Sequence, residues 1–384
     1  MDTEFTDEQL AFQQSVRALA RAELPAYATR AEERHGRDRE VFTWAARHHL
    51  LGLNFPEEYG GAGADKVVSI IAAEELAYAD AGLSGMLAGQ SGVATEAIYR
   101  HGTDEQRKEL LPRVFAGELV IGIAITEPDA GSNIAGTKTV ATPDGDGYRL
   151  NGAKTFISYA GIADYIVVIA RMPGTTGREG LTAFLVSTDQ PGYQLAPPIR
   201  KLGQESSDTG EFVLVDAWAP QHAVIGEPGR AFTYVQETLT SGRIDYGART
   251  VGVAQACFDE ALSYAGNRAP FGRPILSYQA TQFKLARMAM QIEAARALAY
   301  KAARAYDREP DSPATELYAS ICKLNSSEAA RAVSWEALQI HGAYGYTAEF
   351  RISRLFRDAR LFTLSEGTSE VQLMNIARLV GARA

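Results

Sequence analysis

Near the end of the chain stands Arg357-Asp358-Ala359-Arg360-Leu361-Phe362-Thr363-Leu364-Ser365-Glu366-Gly367-Thr368-Ser369-Glu370, in which one carboxylate, Glu366, interrupts a mostly apolar run. A carboxylate that follows apolar residues is partly desolvated on folding. Desolvation raises its pKa and makes it a stronger base near neutral pH. Gly367 permits a backbone geometry that a Cβ would block. The hydroxyls of Thr368 and Ser369 suit the cap of a last helix, expected over about 371–382. Taken alone, the run also reads as an ordinary acidic helix cap, so the surrounding chain has to decide.

Upstream of this run the pattern is helical back to Gly229. Periodic segments cover about 231–265, 277–306, 313–342 and 349–360, and their length and alanine content predict a helical bundle. Residues 120–230 differ, being rich in Gly, Thr and Val in short alternating runs. Strands are expected at about 121–126, 147–157, 164–171, 181–187 and 211–217, with turns or loops at 142–147 and 173–177. This segment reads as a small β-barrel domain. The first 120 residues read as helices. Thr6-Asp7-Glu8-Gln9 has capping-box spacing and is followed by Leu10, Phe12, Val16 and Leu19 at near-helical spacing. A second helix is expected at about 39–51, stopped by Gly52, and alanine-rich helices at about 66–100. Thr103-Asp104-Glu105-Gln106 repeats the box. The expected fold is mainly α with a β-barrel middle domain: an N-terminal helical domain (1–120), a β domain (121–230) and a C-terminal four-helix bundle (231–384).

Composition bounds the function. The 384 residues are 46% hydrophobic and 22% charged, which suits a globular protein with a large core. A formal net charge of −9 and no basic patch argue against a nucleic-acid groove. No apolar run is long enough to span a bilayer, and the acidic opening Met1-Asp2-Thr3-Glu4 is unlike a signal peptide. Cys257 and Cys322 lie far apart in helical patterns. They read as buried thiols in a reducing, cytoplasmic compartment. The six histidines have no metal-ligand spacing, so no metal is expected.

Four further stretches point to a ligand. In Ala124-Ile125-Thr126-Glu127-Pro128-Asp129-Ala130-Gly131-Ser132-Asn133, a Gly/Ser turn leaves a strand and offers N–H and hydroxyl groups to a phosphate or a polar heteroaromatic ring. In Lys154-Thr155-Phe156-Ile157-Ser158, strand alternation puts Phe156 and Ser158 on one side, either as a ring-and-hydroxyl platform or as a surface pair. Arg268-Ala269-Pro270-Phe271-Gly272-Arg273-Pro274 breaks the bundle, with Arg268 suited to grip a diphosphate. Gln339-Ile340-His341-Gly342-Ala343-Tyr344-Gly345-Tyr346 places glycines where backbone can approach a ligand closely, or where a helix ends.

Together with Lys201-Leu202-Gly203-Gln204 and Ser206-Ser207-Asp208-Thr209, these stretches resemble the acyl-CoA dehydrogenase family, in the right order and over nearly the whole chain. The resemblance implies FAD as cofactor and a homotetramer. It implies that Ile125, Thr126, Gly131 and Ser132 hold the flavin, and that Phe156 and Ser158 flank its isoalloxazine. It gives the ADP half to Arg268, Phe271 and Gln279, with Gln339, Gly342 and Ala343, some of them acting on a neighbouring subunit's cofactor. Thr368 and Glu370 match further cofactor contacts, and Ser132, Arg243 and Glu366 match substrate contacts. Glu366 falls on the catalytic base. The implied reaction, of a kind used in fatty acid metabolism, is α,β-dehydrogenation of an acyl thioester: the base takes the α-proton and a β-hydride passes to flavin N5. The thioester oxygen is held by the N–H of the base and a ribityl hydroxyl. An electron-transferring flavoprotein is the implied acceptor.

The chain departs from the family pattern in places. Asp129 and Asn133 replace a common glycine and aspartate, Phe156 a frequent tryptophan, and Pro270 a polar residue. Ser365 is small where several members carry a ring. Gly242 has no carboxylate, which excludes the other position for the base. Thr240 replaces an aspartate that contacts pantetheine in some members. The expected substrate is a short or branched acyl-CoA. The alternatives are a carrier-protein-tethered acyl group in a biosynthetic pathway, or an oxidase or monooxygenase on the same fold. Retention of Glu366 argues against the latter two, and combined with the flavin motifs it argues against a non-catalytic scaffold.

Overall fold

The computed structural model describes residues 5–381. The acidic opening 1–4 and the expected end of the last helix at 382 lie outside the described residues. Six helices come first: α1 (Asp7–Glu33), α2 (Glu40–Arg47), α3 (Lys66–Ala79), α4 (Ala81–Gln90), α5 (Val93–His101) and α6 (Asp104–Phe115). Both expected capping boxes form, at Thr6–Gln9 and Thr103–Gln106. Asp80 ends α3 and caps α4, its Oδ1 accepting from the Leu83 N–H at 2.8 Å. The helix expected over 39–51 is shorter. It stops at Arg47, because His49 and Gly52 both take positive φ in the turn that follows.

The middle segment holds β1 (Ile121–Ala124), β2 (Val140–Asp144), β3 (Gly147–Ser158), β4 (Tyr165–Arg171), β5 (Leu181–Ser187), β6 (Tyr193–Leu195), β7 (Thr209–Pro220) and β8 (Val224–Ile225). They form one sheet in the order β6-β7-β3-β2-β4-β5-β8, with β1 parallel to β4. The sheet curls so that β5 lies against β7. Leu150, Val168, Phe184, Phe212 and Leu214 fill its interior. Strand β2 occupies part of the segment read as a turn or loop at 142–147; only Gly145 and Asp146 turn, and Thr142–Arg149 pair across the ladder. Strands β6 and β8 were also unexpected. At three and two residues they carry too little alternation to be read from sequence.

Five helices complete the chain: α7 (Ala231–Asn267), α8 (Gln279–Arg308), α9 (Pro313–His341), α10 (Arg351–Ala359) and α11 (Ser369–Leu379). The three long ones pack together, and α3 of the first segment lies along α7. Cys257 and Cys322 are free and buried in this core. No helix among the described residues is long and apolar enough to cross a membrane.

The segment 201–209 is the seam between sheet and helices. The Gln204 N–H donates to Asp358 of α10, and Ser206 Oγ donates to Asp80 Oδ1 at 2.6 Å. Gly203 packs so closely on α10 that a Cβ there would stand 2.6 Å from the Arg357 carbonyl carbon. Desolvation, then the nearby Asp80, pushes the Asp358 carboxyl up to about 7. This seam fixes where α10 ends, and so where the chain beyond it carries Glu366.

Candidate active site

Glu366 lies between α10 and α11 with φ of +56°, followed by Gly367 at +83°. Left-handed backbone is unusual for a residue with a Cβ and persists only where its surroundings hold it. Here three groups do. Gln372 Nε2 donates to the Glu366 carbonyl at 2.9 Å, Lys323 Nζ donates to the Gly367 carbonyl at 2.7 Å, and Thr368 caps α11 by accepting from the Val371 N–H. A Cβ on Gly367 would stand 2.6 Å from Gln372 Nε2, so glycine is required for space as well as for φ.

The Glu366 side chain is partly accessible, and its Oε2 has no hydrogen-bond partner among the described residues. Desolvation raises its pKa; Arg243, Lys323 and Arg249 work in the other direction. Arg243, on α7, is 2% exposed, and its Nε and Nη1 are also without partners. Burial lowers the Arg243 pKa and brings the Lys323 ammonium down to about 8. Gly242 faces the same carboxylate: a Cβ built there would be 3.5 Å from Glu366 Oε2. Position 242 therefore looks into the site, and having no carboxylate it leaves Glu366 as the acid there. The Glu366 N–H donates to no acceptor among the described residues. A desolvated carboxylate with a free oxygen, flanked by cations and by an available N–H, is suited to remove a proton beside a carbonyl.

Toward the sheet, Tyr246 of α7 hydrogen-bonds Ser365 and meets the Phe362 ring edge-on at 5.0 Å. Tyr159, next to Ser158, hydrogen-bonds the Met86 carbonyl at 2.7 Å, and its burial raises its pKa. Phe156 takes φ of +57° where the β3–β7 register shifts, and it is 66% exposed. Ser158 is exposed too, while Lys154, Thr155 and Ile157 are buried, so ring and hydroxyl are both open although the register shift at Phe156 breaks simple strand alternation. Gly131 and Ser132 are exposed beyond β1, with nothing within 4 Å of a Cβ placed on Gly131. Ile125 and Thr126 are half-buried, and the Thr126 carbonyl accepts from the Thr155 N–H at 3.0 Å, tying the loop to β3. An unpaired aromatic face beside a hydroxyl and an open Gly/Ser loop fits a planar polar heteroaromatic group such as a flavin ring.

The other expected cofactor residues sit elsewhere. Arg268 and Phe271 lie in the exposed loop between α7 and α8, Phe271 being 83% exposed. Arg268 stands over Tyr344, 5.5 Å from its ring centre, which brings this loop beside Gly342 and Ala343 after α9. Gln279 and Gln339 are exposed on the adjoining helix ends, and Glu370 is exposed in the first turn of α11. No hydrogen bond or ring contact among the described residues joins this group to Phe156 or Ser158. Within one chain the candidate residues form two separate sets.

The reading of the sequence missed Lys323, Gln372, Asp245, Tyr246 and Arg249. Arg249 alone left a signal, as a lone charge inside the apolar stretch Ala248-Arg249-Thr250-Val251-Gly252.

Three family descriptions cover the chain in order: acyl-CoA dehydrogenase N-terminal domain at 6–118, middle domain at 122–217 and C-terminal domain at 229–381. The short-chain specific acyl-CoA dehydrogenase of Megasphaera elsdenii is 37% identical over 378 residues, covering 97% of this chain and 98% of its own. The 3-(aryl)acrylate reductase of Clostridium sporogenes is 37% identical over 374 residues, covering 97% and 98%. The solved structure of an acyl-CoA dehydrogenase complexed with FAD from Bacillus anthracis matches at a TM-score of 0.93 and 30% identity, covering 98% of this chain and 68% of that one. The chain therefore belongs to the acyl-CoA dehydrogenase family and is an FAD-dependent oxidoreductase acting on CH–CH groups.

Proposed function

We propose that the protein dehydrogenates a short or branched acyl thioester at its α,β-bond, most simply an acyl-CoA, with Glu366 as the base. The observation that carries this is the desolvated Glu366 carboxylate with its unpartnered Oε2. Glu366 takes the α-proton. Its own N–H, free of other acceptors, holds the thioester oxygen as negative charge develops there. Burial raises the pKa of the base, and the Arg243 charge works against that rise and so favours the carboxylate form. FAD, when bound, would supply the acceptor for the hydride from the β-carbon. Phe156, Ser158, Ile125, Thr126, Gly131 and Ser132 hold its ring, with Ser132 also reaching the substrate. Thr368 and Glu370 would add further contacts to the cofactor.

The ADP half falls to Arg268, Phe271, Gln279, Gln339, Gly342 and Ala343 of a neighbouring subunit, a reading supported by the lack of any hydrogen bond or ring contact between them and Phe156 or Ser158 among the described residues. This requires an oligomer, in our reading a homotetramer built from domains 1–120, 121–230 and 231–384. Exposed Phe283 and Met290 on α8, Trp335 on α9 and Met374 on α11 supply apolar surface for it. Electrons then pass to an electron-transferring flavoprotein. Anaerobic bleaching of the flavin by a panel of short, long, branched and aromatic acyl-CoAs tests the reading. Rapid bleaching by one class supports it; no bleaching by any of them in FAD-loaded protein refutes the acyl-CoA assignment.

A further inference from the structure

The wall beside Glu366 carries a charge that the chemistry above does not use. Gly242, Tyr246 and Arg249 stand at i, i+4 and i+7 on α7, so they share one helix face. Gly242 meets Glu366 Oε2, and Tyr246 meets Ser365. Arg249 comes next along the face, about 10 Å from Gly242 along the axis at 1.5 Å per residue. It is 8% exposed. Nη2 donates to the Ala81 carbonyl at 3.1 Å, and Nε has no partner. Among the described residues Arg249 has no ion pair, although its charge acts on Glu366. Asp245 pairs with Lys66 through Oδ2 at 2.7 Å, its Oδ1 having no partner among the described residues, and neither it nor Glu366 forms an ion pair with Arg249 although both charges act on it. The fold also makes room for this side chain: a Cβ on Gly85 would stand 2.5 Å from Arg249 Nη2. Phe362 and Tyr246 lie 5.9 and 5.5 Å from the guanidinium and surround it with rings instead of carboxylates.

A buried guanidinium left without an anion is costly unless a ligand supplies one. The dehydrogenase reading puts the α-carbon of the thioester at Glu366, and we place its acyl chain along this face, which Gly242, Tyr246 and Arg249 share. We propose that the substrate's acyl chain is short and ends in a carboxylate, and that Arg249 recognises that carboxylate through charge-assisted hydrogen bonds. This rests on the dehydrogenase reading for the position of the thioester. Arg249 then sets specificity without taking part in the proton or hydride transfer.

Binding tests it without turnover. The probes are pantetheine thioesters of glutaconic and hex-2-enedioic acid, each compared with the isostere that carries an isopropyl group in place of the carboxylate. Pantetheine is common to coenzyme A and carrier proteins, and the α,β-unsaturated chain is already oxidised. Dissociation constants are measured by calorimetry on the FAD-loaded protein, wild type, R249M and R249K. The expected result is that at least one carboxylate thioester binds wild type tenfold or more tighter than its isostere, as a charge-assisted pair in a dry site would give. R249M loses that preference while binding the isostere at least as well, which shows an intact pocket, and R249K keeps part of it. Equal or weaker binding of both carboxylates by wild type, or a preference that survives in R249M, overturns the proposal. Flavin bleaching by saturated neutral thioesters with no carboxylate preference leaves the dehydrogenase reading standing and removes this one. A carboxylate preference without bleaching by the matching saturated thioester does the reverse.

Discussion

Two buried ionic clusters in this protein look alike in composition and differ in completeness. In the β domain, Lys154 Nζ donates to Glu127 Oε1 at 2.8 Å and to the carbonyls of Ile125 and Ile169 at 3.0 and 2.8 Å. The Glu127 oxygens also accept from the Lys138 and Thr139 N–H groups. Burial brings the Lys154 ammonium down to about 8, while Lys154 and the N–H donors hold the Glu127 carboxyl below its usual range against the cost of desolvation. At the active site, by contrast, Glu366 Oε2, Arg243 Nε and Nη1, and Arg249 Nε are all unpartnered. A complete cluster fixes a position: Lys154 ties β3 to β1 and β4, which sets where Phe156 and Ser158 emerge. An incomplete one keeps its hydrogen-bonding capacity for something that binds later.

Substitutions on both sides sharpen this contrast. The largest effect is expected from Glu366→Gln, which keeps shape and FAD binding but removes the base. Flavin reduction in anaerobic stopped flow should slow by roughly 10²–10⁴-fold, the range of a positioned acid–base group. A wild-type rate would show that the base lies elsewhere. Next is Lys154→Met. It strands Glu127 in the sheet core and should cost on the order of 3–5 kcal/mol, read as a lower melting temperature. Glu127→Leu added to it should recover part of the loss, because the uncompensated charge is then gone. Recovery failing outright would mean that the cluster is no simple staple.

Arg243→Met acts on the incomplete side without disturbing the sheet. Desolvation raises the Glu366 pKa and Arg243 is the leading influence against it. The base works only when deprotonated, so kcat/KM rises with pH through that pKa. Removing Arg243 should therefore move the acid limb of the profile to higher pH, and Arg243→Lys should largely restore it. A limb that stays in place would detach Arg243 from the base. The smallest effect is expected from Gly242→Ala, whose Cβ finds ordinary contact at 3.5 Å from Glu366 Oε2. Helix propensity should add about 0.5–1 kcal/mol of stability with little change in flavin reduction rate. A large rate loss would show that the acyl chain packs directly against position 242.

Much of this molecule was legible before any coordinates. The capping boxes at Thr6 and Thr103, the change to Gly- and Val-rich alternation near 120 and the periodic helices after 229 are local signals, and local hydrogen bonding and burial patterns produce them directly. Glu366 stood out as the candidate base only with the resemblance, since its own stretch also reads as an ordinary acidic helix cap. Strands β6 and β8 were not legible, since two or three residues pair only because β7 and β5 are already in place. Nor was the surrounding of the base. Arg243 was named through the resemblance, but Lys323, Gln372 and Arg249 come from α9, α11 and α7, and only packing brings them to one carboxylate. The sequence by itself determined the order of helices and sheet and marked Glu366 as the candidate base. Tertiary structure decided which buried charges find partners and which are left waiting, because desolvation and pairing depend on distances between segments that sequence spacing does not record.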